Sequence, residues 1–207
     1  MPLSLLAPPL CWACGRAARP LEALCLACRA ALRWLPSDPI ALEGITAWAP
    51  LAYEGPARAL VAGLKFRAAR RLAEQLAAPI VARAPPSLLE EAVLVPVPIE
   101  RARLRRRGFN QASLLASAIA RRTGLPLEHA LVCLPGRRPQ TGRPRGERLA
   151  GMRGRFALRG GARPPPRPLL VDDVITTGAT LAACAAVLRD AGSRRVGALA
   201  YARTLGR

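Results

Sequence analysis

Leu169-Leu170-Val171-Asp172-Asp173-Val174-Ile175-Thr176-Thr177-Gly178-Ala179-Thr180 passes from an apolar run through two acids into a small, hydroxyl-rich turn, and a helical pattern follows it. A short apolar run bounded in this way predicts a buried strand over residues 169–174, and the Ala-rich stretch after it predicts a helix over 180–191. Carboxylates at the C-terminal end of a parallel strand stand in the crevice where α/β sheets bind ligands, and there they can accept hydrogen bonds from neighbouring sugar hydroxyls. The turn that follows offers backbone amides at a helix N-terminus, threonine hydroxyls, and Gly178 for close approach, which together cradle a phosphate. The plainer alternative is a surface acid pair before an ordinary helix capped by Thr180.

The surroundings repeat the alternation of strand and helix. Residues 92–97 form a valine-rich strand, and 110–122 an amphipathic helix with Asn110 as N-cap and Leu114, Leu115, Ala118 and Ile119 inward. Residues 131–134 and 155–158 read as short strands, and 196–201 as a final strand. Apolar strands separated by helices predict an α/β fold with a parallel sheet covered on both faces. Upstream, residues 45–53 are rich in β-formers, but Pro50 predicts an edge strand or a broken one. A helix follows Gly55-Pro56, with Ala59, Leu60, Ala62, Gly63 and Phe66 on one face and Lys65 in solvent. A second helix covers 70–83, and Pro85-Pro86-Ser87 reads as a linker. The division expected is 1–32, 33–86 and 87–207.

Cys11, Cys14, Cys25 and Cys28 are spaced C-x2-C-x10-C-x2-C, with Gly15 after the second. So short a region cannot fold on apolar burial alone. Four thiolates in two such pairs suit a tetrahedral zinc ion in a small N-terminal ribbon. Two disulfides, a redox pair and an iron–sulfur cluster are the alternatives.

Composition bounds the rest. The 207 residues allow one full domain with a small appendage, and 51% hydrophobic content excludes global disorder. The net charge is +19, carried by 32 basic residues of which Lys65 is the single lysine. Such a charge attracts polyanions, and arginine suits bidentate phosphate contacts. No apolar run reaches the length of a membrane span, and the opening MPLSLLAPPL lacks a basic segment, so the expected location is cytoplasmic. There is no G-x-x-x-x-G-K-[ST] phosphate loop and no G-x-S-x-G elbow. His129 reads as a surface or helix-terminal residue, and Cys133 and Cys184 as packing.

The Asp-Asp-Val-Ile-Thr-Thr-Gly-Ala-Thr stretch resembles the 5-phosphoribosyl diphosphate (PRPP) motif of type I phosphoribosyltransferases. Several elements occur in the order seen in the ComF family, which takes in GntX-like proteins: the cysteine ribbon, Tyr53-Glu54-Gly55 followed by Leu64-Lys65-Phe66, Val95-Pro96-Val97-Pro98, Arg107-Gly108-Phe109-Asn110-Gln111, and the acid–threonine motif. That resemblance implies a type I phosphoribosyltransferase core behind a hood-like segment, Mg²⁺-dependent phosphoribosyl transfer, and an association with competence and DNA uptake. It implies that Asp172 and Asp173 hold the ribose hydroxyls and that Thr176, Thr177, Gly178, Ala179 and Thr180 hold the 5-phosphate. Val97 and Pro98 would lie in a loop that meets diphosphate, or else merely end a strand. Arg107, Asn110 and Gln111 would join the site, or else form a capped basic loop. Lys65 matches a family lysine. Arg138, Gln140 and Arg148 match the flexible catalytic loop, although Gly151-Met152 stands where many relatives have asparagine. A second implication is single-stranded DNA as partner, together with the DNA-uptake helicase machinery. The basic run Arg101, Arg103, Arg105, Arg106 and Arg107 would contact the DNA backbone, the phosphate site being regulatory rather than catalytic.

Overall fold

The computed structural model describes residues 9–66, 69–135 and 154–205. Its centre is a mostly parallel sheet. β4 (Val93–Pro96), β7 (Pro168–Ile175) and β8 (Gly197–Arg203) pair in parallel. β2 (Ile45–Trp48) and β3 (Leu51–Ala52) also lie parallel against β8, and β1 (Ile40–Leu42) closes the far edge antiparallel to β2. The spatial order β1-β2-β8-β7-β4 places β7 and β8 inside, where their apolar runs are buried on both faces.

Helices α2 (Gly55–Phe66), α3 (Ala69–Arg83) and α6 (Gln111–Thr123) cover one face of this sheet, where Leu64, Leu76, Ile80, Leu115, Leu169 and Tyr201 interlock. On the other face lie α7 (Ala179–Asp190) and a separate two-stranded antiparallel sheet of β5 (Leu131–Cys133) and β6 (Phe156–Leu158); Leu181, Cys184, Leu170, Ala198, Leu131 and Phe156 form that core. Short helical segments α1 (Leu26–Ala30), α4 (Pro86–Leu89) and α5 (Arg101–Arg107) are the other helical elements among the described residues. The N-terminal cysteine segment docks on α3 through Gln75, whose amide donates to the Leu21 carbonyl and accepts from the Ala23 amide. No helix among the described residues is long and apolar enough to cross a membrane.

Several sequence expectations need correction. Pro50 does break the 45–53 segment, but neither piece is an edge, because β1 shields β2. The Pro85-Pro86-Ser87 stretch leads into a helical turn that buries Leu88. The basic run, and with it Arg107 of the capped-loop alternative, forms helix α5, ended by Gly108 in the left-handed region at φ 76°. The buried face of α2 is Ala57, Leu60, Val61 and Leu64, whereas Ala62 is exposed. That rotation moves Lys65 from open solvent to the margin of the packed face.

Candidate functional site

β7 outruns its neighbour. β4 ends at Pro96, opposite Val171, and one further bond runs from the Val97 amide to the Val171 carbonyl at 2.9 Å. Asp172 and Asp173 therefore lie beyond the paired part of β4, beside a cleft of about 200 Å³. Lys65, Pro98, Glu100, Arg103, Arg107 and Arg155 line it with the two acids. Val97, Asn110, Gln111, Cys133 and Thr180 reach it as well.

The two acids are not equivalent, since successive strand residues project to opposite faces. Asp173, 5% exposed, faces α2, and its Oδ2 lies 3.0 Å from Lys65 Nζ. Asp172 turns toward α7, and its Oδ1 accepts the Asp173 amide at 2.8 Å. Burial, and then the adjacent Asp173 charge, push the Asp172 carboxyl well above the usual carboxylate range; Lys65 opposes that shift. Burial, and then the Asp172 charge, push the Cys184 thiol up in turn.

Cations form the opposite wall. Arg107 Nη1 donates to Gln111 Oε1 at 3.1 Å. Burial, with the nearby Arg103, lowers the Arg107 pKa from its ordinary value, and Asp173 opposes that lowering. Arg155 reaches Glu100 at 3.6 Å. Asn110 caps α6 by accepting the Ala112 amide at 3.0 Å, and its own amide donates to the Val97 carbonyl at 2.9 Å. Gln111 and Asn110 thus fix the wall while Arg103 and Arg107 supply its charge.

Beyond the acids the chain turns into α7. Thr176 and Thr177 are exposed, and Thr177 Oγ1 accepts the Ala179 amide at 3.4 Å. Gly178, rather than Thr180, is the N-cap. Its φ of +78° disfavours a side chain, and a Cβ there would stand 2.3 Å from the Leu42 side chain. Glycine is therefore favoured here by backbone conformation and packing alone. Thr180, two residues further on in α7, lines the cleft.

Sequence reasoning did not anticipate Glu100, Arg103, Cys133, Arg155 or Phe156 as cleft residues. Only the docking of β5 and β6 beside β7 brings the last three there, a long-range event that no local pattern reports. Arg138, Gln140 and Arg148 lie outside the described residues. His129 is exposed, with its carbonyl accepting Arg159 Nε at 2.8 Å.

At the N-terminus the Sγ atoms of Cys11, Cys14, Cys25 and Cys28 all lie within 4.8 Å of one another, those of Cys14 and Cys25 at 3.7 Å. Four ligands about 2.3 Å from one tetrahedral zinc require sulfur–sulfur edges of about 3.8 Å, so this donor set fits the ion. Burial pushes the Cys11 thiol up, but backbone bonds from Cys25, Cys14 and Ala13 outweigh it and hold the value at about 6. The Cys14 side chain, with burial, pushes Cys28 up to about 12. One charge in so tight a cluster suppresses the next unless a cation joins it.

No protein-family model matches the chain. Two curated proteins align with part of it. Competence protein F of Haemophilus influenzae is 35% identical over 118 residues, covering 56% of this chain and 51% of that protein. Competence protein ComFC of Bacillus subtilis is 37% identical over 100 residues, covering 48% of this chain and 39% of that protein. The chain thus spans about half the length, or less, of these relatives. Among solved structures, orotate phosphoribosyltransferase from Aeropyrum pernix aligns over 84% of this chain and 76% of that one at 22% identity, with a TM-score of 0.37.

Proposed function

We propose that this chain is a member of the ComF family of competence proteins, as its partial similarity to two of them suggests, and that the cleft beyond β4 binds a ribose 5-phosphate carrying diphosphate at C1. The observation that carries this reading is the order of parts along one strand. Two acids at the free end of β7 run without interruption into an amide- and hydroxyl-bearing turn at the start of α7, and arginines face them across about 200 Å³.

Each group then has a task. Asp172 and Asp173 accept the ribose hydroxyls, and Thr176 to Thr180 receive the 5-phosphate. Arg103 and Arg107 draw the diphosphate to the opposite wall and stabilise its charge as it leaves a cationic sugar carbon. No side-chain nucleophile is needed for that step. The carboxylate oxygens of Asp172 and Asp173 would also offer hard donors to Mg²⁺. That ion, held with the diphosphate, would supply positive charge to the leaving group. The four N-terminal cysteines would hold one structural zinc.

The decisive test is calorimetric titration of PRPP with Mg²⁺ into the wild type and the Asp172→Asn, Asp173→Asn double variant. Losing two charged acceptors should weaken binding by about 3 kcal/mol or more, at least about a hundredfold. Equal affinities would refute the ribose assignment. Lost affinity without consumption of any acceptor in a screen would favour a regulatory over a catalytic site.

A second reading rests on α5, where Arg101, Arg103, Arg105 and Arg106 are exposed beside the cleft. In that reading the partner is single-stranded DNA, met together with the DNA-uptake helicase, and the ribose-phosphate site regulates the encounter. Its mark is an oligonucleotide affinity that falls steeply with salt.

A further inference from the structure

At the other end of β7 lies a larger cleft, about 540 Å³. It opens where β7 and β8 begin, so the whole length of the strands separates it from the acid pair. Arg167, Arg189, Arg194 and Arg195 line it, and among the described residues no acidic side chain does. Its floor is apolar, made by Leu88, Leu169 and Val196, each at most 9% exposed.

The four arginines have different duties. Arg167 Nη1 donates to Glu91 Oε2 at 2.9 Å, and Arg189 Nη1 to the Gly44 carbonyl at 2.9 Å. Arg189 also sits in the last turn of α7, where a cation complements the helix dipole. Neither role explains Arg194 and Arg195, which lie beyond the helix. Their amides share the Pro166 carbonyl at 3.0 and 3.4 Å, and the buried Ser193 hydroxyl donates to the Pro165 carbonyl at 2.8 Å. The backbone of this turn is thus pinned while both side chains are exposed, and neither makes an ion pair among the described residues. The two side chains thus add positive charge over an apolar floor beside Arg167 and Arg189, an arrangement that favours the entry of an anion.

We infer that this cleft is a second anion site, which takes a small phosphorylated molecule of nucleotide size bearing two or more phosphate groups. Its volume falls within the range of about 300–1,000 Å³ typical of small-ligand sites and exceeds what a single ion needs. Guanidinium forks match phosphate oxygens two at a time. Among the described residues no aromatic side chain lines the cleft to stack the bases of a passing strand, which favours a compact ligand over a nucleic acid. A ligand here meets the far ends of the two elements that carry the first site: β7 starts in this cleft and carries the acids near its other end, and α7 starts at the threonine turn and has Arg189 in its last turn. The inference stands on these residues alone and does not depend on the ligand assigned to the acid-pair cleft.

Inorganic triphosphate is the probe, titrated without Mg²⁺ at low salt into the full chain. The Arg194→Ala, Arg195→Ala double variant should melt within about 1–2 °C of the wild type, since surface changes that break no contact cost little. It should lose one triphosphate-binding component, or weaken it at least about tenfold. The Asp172→Asn, Asp173→Asn variant should keep that component, which separates the two clefts. Wild-type titration by the arginine variant would overturn the site. Competition of triphosphate with a short oligothymidylate whose affinity falls equally in that variant would also overturn it, by showing a surface for a nucleic-acid backbone.

Discussion

Lys65→Met removes the ammonium that faces Asp173 while keeping most of the side-chain stem. At 3.0 Å and an effective dielectric of about 20, the pair's gross attraction is about 5–6 kcal/mol. Much of that is offset by desolvation, because the side chains are only 25% and 7% exposed. Removing one partner of a buried pair costs about 3–5 kcal/mol, since the other charge stays buried alone. With Lys65 still a quarter exposed, the lower end applies, about 3 kcal/mol. For a chain of this size that lowers the melting temperature by about 6–12 °C. The same change made on Asp173→Asn should cost less than about 1 kcal/mol, which leaves a coupling of about 2–3 kcal/mol between the two positions. Chemical denaturation of the four proteins gives this coupling directly. If Lys65→Met costs the same in both backgrounds, the stem's packing at the margin of α2 explains Lys65 and the ion pair does not.

Two further outcomes follow from the same geometry. Asp172→Asn keeps an oxygen for the Asp173 amide and should raise the melting temperature at neutral pH. The raised folded pKa means that the stability Asp172 contributes is present in full below the unfolded value of about 4 and is lost as pH rises through the folded value, so the gain should appear above about pH 4 and vanish below it; melting curves across that range check it, and a constant offset would refute the burial argument. Protein purified without added metal should carry about one zinc per chain by elemental analysis; Cys25→Ser should release it and leave the sheet's far-UV signal in place, whereas two disulfides and no metal would reverse the assignment.

The parts of the fold that could be read locally are those whose signal is local. β7 shows as an apolar run of strand length, and α6 shows through Asn110, which caps it at the expected residue. Lys65 was not legible as a partner of Asp173, because a helix rich in alanine and glycine has an ambiguous apolar face. Choosing Ala59, Ala62 and Gly63 over Ala57, Val61 and Leu64 turns the lysine away from the sheet. The antiparallel pairing of β5 with β6 was hidden for a different reason. The two strands are far apart in sequence, and strands of three residues carry too little pattern to choose a partner. Cys133 and Arg155 reach the cleft only through that pairing.

The opening of the cleft can itself be traced to two side chains. In a parallel ladder, a residue whose amide bonds one carbonyl offers its own carbonyl to the amide two residues further along. The Val97 amide bonds the Val171 carbonyl, so the Val97 carbonyl would next take the Asp173 amide. Instead Asn110 donates to the Val97 carbonyl, and the Asp172 carboxylate accepts the Asp173 amide. Each half of the missing rung is satisfied locally, so β4 and β7 can part at no cost in unpaired backbone groups. Asn110 therefore serves the site by holding the strands apart, with its carboxamide oxygen committed to the helix cap and its amide to Val97. Asp172 has the same double character: the bond that ends the ladder also holds its carboxylate at the cleft, where burial and Asp173 make its charge costly until a ligand or cation arrives.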